Sequence, residues 1–241
     1  MDQRQQTERH LEMLWAFPRR SVVFVSLSCL ITLDAAKAGC RDSPGPNMDW
    51  SGCRKQAKML RDYDLSGAKF VRADLSRTNF QSAKMMGADL TKANLTRTNM
   101  RRANLSKANL SKAFGVRSYL SEANFKGANL SKVEFSRAQL SAADLSGTNL
   151  RGGQLSRANM KAANLDDADA RNINLSRATL ALASLNRTNL ENAYLYRTDL
   201  RGVDLSKTIG LTQNQLRGSC GDKETKLPKG LRTPDEWPCG D

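Results

Sequence analysis

From Leu65 to Leu205, every fifth residue is large and apolar, 29 positions in all with Gly115 and Ala170 as the exceptions. Two residues ahead of each stands a small one, as in Ala68, Ala73, Thr78, Ala83, Ala88 and Ala93. Between the two is usually an aspartate or asparagine, as in Asp64, Asp74, Asn79, Asp89 and Asn94. No insertion breaks this register across residues 63–207. A helix repeats every 3.6 residues and a strand every two, so neither accounts for a period of five. A chain that turns a corner every five residues does. The large residue and the small one both point inward, and the other three face solvent. The second inward position stays small because a narrow interior has no room for another leucine. Asp or Asn before the large residue, with Ser or Gly after it, supplies the corners.

A second, longer period supports four sides per turn. The octet starting at Ala73, ADLSRTNF, returns four sides later as ANLTRTNM from Ala93. The pattern A(D/N)LxX, seen in Ala93-Asn94-Leu95-Thr96-Arg97 and Ala128-Asn129-Leu130-Ser131-Lys132, resembles the pentapeptide-repeat family. That resemblance implies an all-β fold, a right-handed quadrilateral β-helix with four pentapeptides per coil. Residues 63–207 then give about seven coils, stacked ~4.8 Å apart into a rod about 35 Å long. Gly115 at a core position predicts a local bulge or an inward Phe114. The core column thins at Ala170, and Val133, Gly153 and Ile173 are odd sizes for the small position.

The flanks read differently. Arg19 and Arg20 precede the uncharged run 21–33 (SVVFVSLSCLITL), and Ala36-Lys37-Ala38 follows. A positive start, a short apolar stretch and an A-x-A site predict a signal peptide over 1–38, cleaved after Ala38. The run falls short of the roughly 17–25 residues that span a bilayer, although an uncleaved anchor is the alternative. Residues 39–62, with Pro44, Pro46 and Trp50, form an N-terminal cap. Residues 208–241, with a short helix at 211–216 and Trp237, form a C-terminal one. Solenoid ends need such covers. DWSGC at 49–53 and CGDKETKLPKGL at 220–231 also resemble the ends of exported bacterial members of the family.

Removing the leader takes Cys29 with it and leaves Cys40, Cys53, Cys220 and Cys239. An even number in an exported chain indicates disulfides, with three possible connectivities. Given a rod about 35 Å long, bridges whose Cα atoms must lie within ~7 Å pair Cys40 with Cys53 and Cys220 with Cys239.

Catalytic chemistry is excluded on residue types. The single histidine, His10, lies in the leader, so the exported chain has no Ser-His-Asp triad, Cys-His pair or imidazole metal site. Serines follow many core residues, yet each has a corner to make and no base to activate it. Asp166, Asp167 and Asp169 could attract a hard cation, but Asp169 fills an ordinary corner position. No phosphate-cradling glycine loop occurs. The expectation is a non-enzyme with no cofactor, no metal and no small-molecule substrate.

Charge says more. The chain carries 38 Lys+Arg against 24 Asp+Glu, a net +14. Residues 1–38 hold five basic and four acidic groups, which leaves +13 on the remainder. Folded on the longer period, Arg77, Arg97, Arg117, Arg137, Arg157, Arg177 and Arg197 all fall two residues after the core position of one face. Arg72, Lys92, Lys112 and Lys132 make a shorter stripe on the adjoining face. Like charges one coil apart repel by roughly 0.8 kcal/mol even at water's dielectric. An anion spanning several rungs relieves this. Duplication of a four-pentapeptide unit would also copy its arginine, with no ligand involved.

Some pentapeptide-repeat proteins are acidic rods that resemble DNA and occupy topoisomerases. A basic chain with an export signal cannot play that part. Nucleic-acid binding suits the charge, but outward aromatics are few (Tyr119, Tyr194 and Tyr196) and export removes the partner. The resulting expectation is an exported, periplasmic or extracellular structural or binding module. Its basic face would engage an anionic envelope polymer or an acidic protein, and the alternative is a purely structural rod.

Overall fold

A computed structural model describes residues 39–238. The expected signal segment with His10 and Cys29, and Cys239 at the other end, lie outside the described residues. Every side of the coil is built alike. Around Leu65, the N–H of Ala68 donates to the Leu65 carbonyl at 3.1 Å and closes a four-residue turn. The third residue of that turn, Gly67, has φ +66°, as a type II turn requires. Positive φ recurs at every fifth residue from Asn47 to Gly202, mostly on arginine, lysine or other side chains rather than glycine. A left-handed conformation costs such residues about 1–2 kcal/mol. Their N–H groups offset it by pairing with the next coil, as Arg77 does with the Thr96 carbonyl at 3.0 Å. Before the corner, Asp64 accepts from the Ser66 N–H at 3.0 Å. Hydrogen bonding from the Ser66 hydroxyl and then its backbone holds the Asp64 carboxyl below the usual range.

Coils stack in parallel, each side paired with the fourth side after it, from Asp49 beside Lys69 to Asn189 beside Ile209. The interior is the sequence pattern made solid. The large residues and the small ones two before them are buried from Leu65 onward, including the exceptions Ala170, Val133 and Ile173. The odd sizes offset one another within columns. Gly153 lies one coil from both Val133 and Ile173, and a Cβ on it would sit 3.6 Å from a Val133 methyl.

At Gly115 the structure departs from both expectations. There is no bulge, because Asn94, Phe114 and Glu134 keep the register of the other coils. Nor does Phe114 turn inward; it is 46% exposed. The Phe135 ring, one coil on, occupies the space instead, so that a Cβ on Gly115 would meet it at 2.3 Å.

The N-terminal end also differs from its sequence reading. Residues 39–62 are not wholly separate from the coils, since corners already run from Pro46. The rod therefore has about eight coils, the first formed by 46–65, and is about 39 Å long at ~4.8 Å per coil. The repeat signature is missing there because an end coil has one face without a neighbour. Lys55 takes a large core position, while Lys58 and Tyr63 are exposed at small ones. The cover proper is 39–45. Its 3-10 turn, Gly39–Arg41, is tied to the first coil by the Cys40–Cys53 disulfide, with Cα atoms 5.5 Å apart. Trp50 is buried below it, edge-on to Phe70 at 6.1 Å, and its Nε1 donates to the Asp42 carbonyl.

At the far end a short helix, α1 (Gln213–Leu216), takes the place of one side. Thr212 and Gln215 form a capping box at its start. The Gln215 Nε2 also donates to the carbonyls of Leu190 and Ala193, at 2.7 and 3.0 Å, which fixes the helix to the rod. Beyond it the pairing slips by one position (Asp199 beside Cys220) and then by two (Asp204 beside Lys226). Cys220 is a disulfide cysteine. Trp237 is buried against Gly221, and its Nε1 donates to the Ser219 carbonyl at 2.8 Å. Among the described residues no helix is long and apolar enough to cross a membrane.

Candidate functional site: an arginine ladder at one corner

All seven arginines of the sequence pattern occupy the left-handed third position of one corner, with φ between 55° and 60°. Each is exposed. Their backbones are locked: the N–H groups of Arg97, Arg117, Arg137 and Arg157 donate to the carbonyls of Val116, Ser136, Ser156 and Ser176, at 2.9–3.2 Å. The rung spacing is therefore set by the coil rather than by side-chain choice. Only the guanidinium groups remain free to adjust.

The surroundings separate this corner from the two that hold Arg102 and Arg187. Where an arginine takes the same position elsewhere, a carboxylate can answer it one coil away. Arg102 pairs with Glu122 at 2.8 Å, and Arg187 with Asp167 at 2.6 Å. Among the described residues no carboxylate pairs with any of the seven; Arg197 instead lies over the Tyr196 ring, 5.9 Å from its centroid. The ladder also borders two open grooves. One, of about 440 Å³, runs past Arg77, Arg97, Arg117 and Arg137. The next, of about 530 Å³, continues from Arg137 past Arg157 and Arg177. Arg137 belongs to both, so six rungs share one trough.

Sequence reasoning missed the trough's other wall. Ser76, Thr96, Ser136, Ser156 and Ser176 line it beside the arginines. Each stands one residue before an arginine, so the same longer period that found the arginines also carries them. Their hydroxyls face a shared space, as the 3.1 Å contact between the Ser136 and Ser156 oxygens indicates. Guanidinium groups alternating with hydroxyls bind oxyanions, the former by paired N–H donors and the latter by single ones.

The acidic cluster is already occupied. Asp167 pairs with Arg187, Asp169 with Arg171 at 2.6 Å, and Asp166 accepts from the Ser184 hydroxyl at 2.6 Å and the Asn186 N–H at 2.8 Å. Hydrogen bonding from Arg187 holds Asp167 below the usual carboxylate range, and bonding from Arg171 does the same for Asp169. No group of acidic, histidine or cysteine side chains among the described residues could hold a metal ion. Arg72, Lys92, Lys112 and Lys132 are exposed along the neighbouring corner.

A solenoid of five-residue sides with this inward pattern defines a known class. The Pentapeptide repeats family model matches in 8 copies between residues 60 and 209. The chain belongs to that family, whose fold is the right-handed quadrilateral β-helix. Among solved structures it is similar to HetL, a pentapeptide repeat protein involved in heterocyst differentiation regulation from the cyanobacterium Nostoc sp. strain PCC 7120. The identity is 28%, over 85% of this chain and 96% of that one, with a TM-score of 0.44. It is also similar to a trypsin-treated form of QnrB1, a plasmid-mediated fluoroquinolone resistance protein. There the identity is 17%, over 75% of this chain and 87% of that one, with a TM-score of 0.55. No curated protein matches the chain in sequence.

Proposed function

We propose that this protein is an exported, non-catalytic binding module whose arginine ladder holds an anionic polymer along the rod axis. One observation carries the reading: seven stacked arginines lack the carboxylates that neutralise Arg102 and Arg187 at equivalent corners. The ladder is also the longest unanswered run, since the stripe at the neighbouring corner ends at Lys132 while the arginines continue to Arg197. Polymer is favoured over an acidic protein on spacing. An extended peptide presents same-side carboxylates about 6.8 Å apart, two residues at ~3.4 Å each, and drifts out of step with rungs every ~4.8 Å. The competing reading is a structural rod whose arginines are a record of duplication, supported by the return of whole octets one coil later.

Replacing Arg117, Arg137 and Arg157 together with asparagine separates the two. Asparagine tolerates the left-handed conformation, so the fold and the melting temperature stay as they are. Binding to an anionic polymer falls steeply, and the slope of log affinity against log salt flattens by about 2–3, near one for each charge contact removed. The control replaces Lys84, Lys126 and Lys161, all exposed and away from the ladder. Equal losses in both triple variants would reduce the ladder to net charge. Export rests on the leader at 1–38, and N-terminal sequencing of the exported protein is expected to begin at Gly39. Intact chain retained inside the cell would remove the envelope from consideration.

A further inference from the structure

At the third rung of the ladder the polar pattern of the outer surface breaks. Phe114 and Tyr119 stand on the two sides that meet at the Arg117 corner, 46% and 51% exposed. Between them Val116 replaces the hydroxyl residue of the other rungs and lines the trough. The neighbours in register are polar: Asn94 and Glu134 beside Phe114, Asn99 and Gln139 beside Tyr119. The core does not call for these rings, since Phe135 already fills the space at Gly115. Single exposed apolar residues are ordinary, but two exposed rings flanking one arginine with a half-buried valine between them are not.

We infer that the ladder's ligand is an acidic polysaccharide, a chain of sugar rings carrying carboxylate or sulfate groups; this rests on the ladder reading above. Each sugar of an extended polysaccharide advances by about one rung of ~4.8 Å, so acid groups that turn to one side meet every rung or every second rung. Duplex nucleic acid, whose phosphates wind around the axis with a rise of about 3.4 Å per strand, does not line them up along a straight ladder. The arginines take the acid groups, and Ser136, Ser156 and Ser176 meet sugar hydroxyls. The carbon-bound hydrogens on the face of a pyranose are apolar and stack on aromatic rings. Phe114 and Tyr119 offer such rings on both sides of Arg117 and give the sugar backbone a contact that a plain polyanion lacks.

The test measures binding of the whole protein to four polymers matched in charge: a polyuronate, a sulfated polysaccharide, polyphosphate and polyglutamate. The wild type is expected to prefer the two saccharides. Replacing both Phe114 and Tyr119 with asparagine, the residue at the preceding rung in both columns, weakens saccharide binding about tenfold, the scale of one or two ring contacts. Polyphosphate binding stays within about twofold, while the triple arginine variant weakens all four polymers. Circular dichroism and an unchanged melting curve confirm that each variant folds. Saccharide affinity unmoved by the double variant, or no preference over polyphosphate, overturns the saccharide assignment and leaves the ladder reading standing. Failure of all four polymers to bind overturns both. Preference between the polyuronate and the sulfated chain identifies the acid group.

Discussion

Replacing Gly115 with leucine is expected to destabilise the rod by about 3 kcal/mol, although it makes the sequence repeat more regular. The position belongs to the large inward residue, and leucine is what most other sides carry there. In this coil the volume is already taken. A Cβ on Gly115 would lie 2.3 and 2.5 Å from Cε1 and Cδ1 of Phe135, well inside contact distance. An interior packed at crystal-like density has no space into which that ring can retreat. Backbone strain plays no part, because Gly115 is not among the positive-φ glycines. A thermal midpoint lower by about 6–12 °C follows, at ~2–4 °C per kcal/mol for a domain of this size. The double variant Gly115→Leu with Phe135→Leu should recover most of the loss, since the pair then matches its neighbours. A cycle of the two single variants and the double one gives the coupling directly. A Gly115→Leu protein as stable as the wild type would mean that Phe135 does not fill that space.

The same residues show what a sequence discloses here. The inward pattern is legible because it is a demand repeated every five residues: Leu65, Phe70 and Leu75 can point nowhere else without exposing apolar area. The Cys40–Cys53 pair is legible from distance limits, and a short helix near α1 from the break in the repeat after Lys207. The corners are legible only in part. Asp64 and its equivalents advertise a turn, but nothing in an arginine or lysine announces a left-handed backbone. That conformation is imposed by the turn before it and the coil beside it. Phe114 illustrates the limit most directly. Which of two aromatics fills a gap depends on Phe135, a full coil away along the chain, so no local window could decide it. The first coil is hidden for a related reason: Lys55, Lys58 and Tyr63 are tolerated because only one face there meets another coil. The arginine ladder is fully legible as a period. So is the absence of carboxylates from its column, because the same period places an arginine at every rung.

Trp237→Ala is expected to release the C-terminal cap while leaving the middle of the rod intact. Trp237 does for Gly221 what Phe135 does for Gly115. A Cβ on Gly221 would fall 2.2–2.5 Å from three carbons of the indole, so the ring supplies the apolar volume that the glycine lacks. Its Nε1 also satisfies the Ser219 carbonyl at 2.8 Å. Truncating a buried tryptophan costs about 3–5 kcal/mol. In a solenoid, where each coil touches only its neighbours, that cost falls on the end rather than on the whole. Hydrogen exchange locates it. The amides of Cys220 and Lys226, which pair with the carbonyls of Thr198 and Val203, should exchange roughly two to three orders of magnitude faster. The amide of Leu130, bonded to Asn149 in the middle of the rod, should not change. Trp237→Phe keeps a ring and loses one hydrogen bond, so about 1 kcal/mol of the effect should remain. Uniform acceleration along the rod would mean that the coils melt as one unit and that the cap guards them all. No acceleration at Cys220 would mean that the last coil holds without the indole, and the tail would then cover nothing.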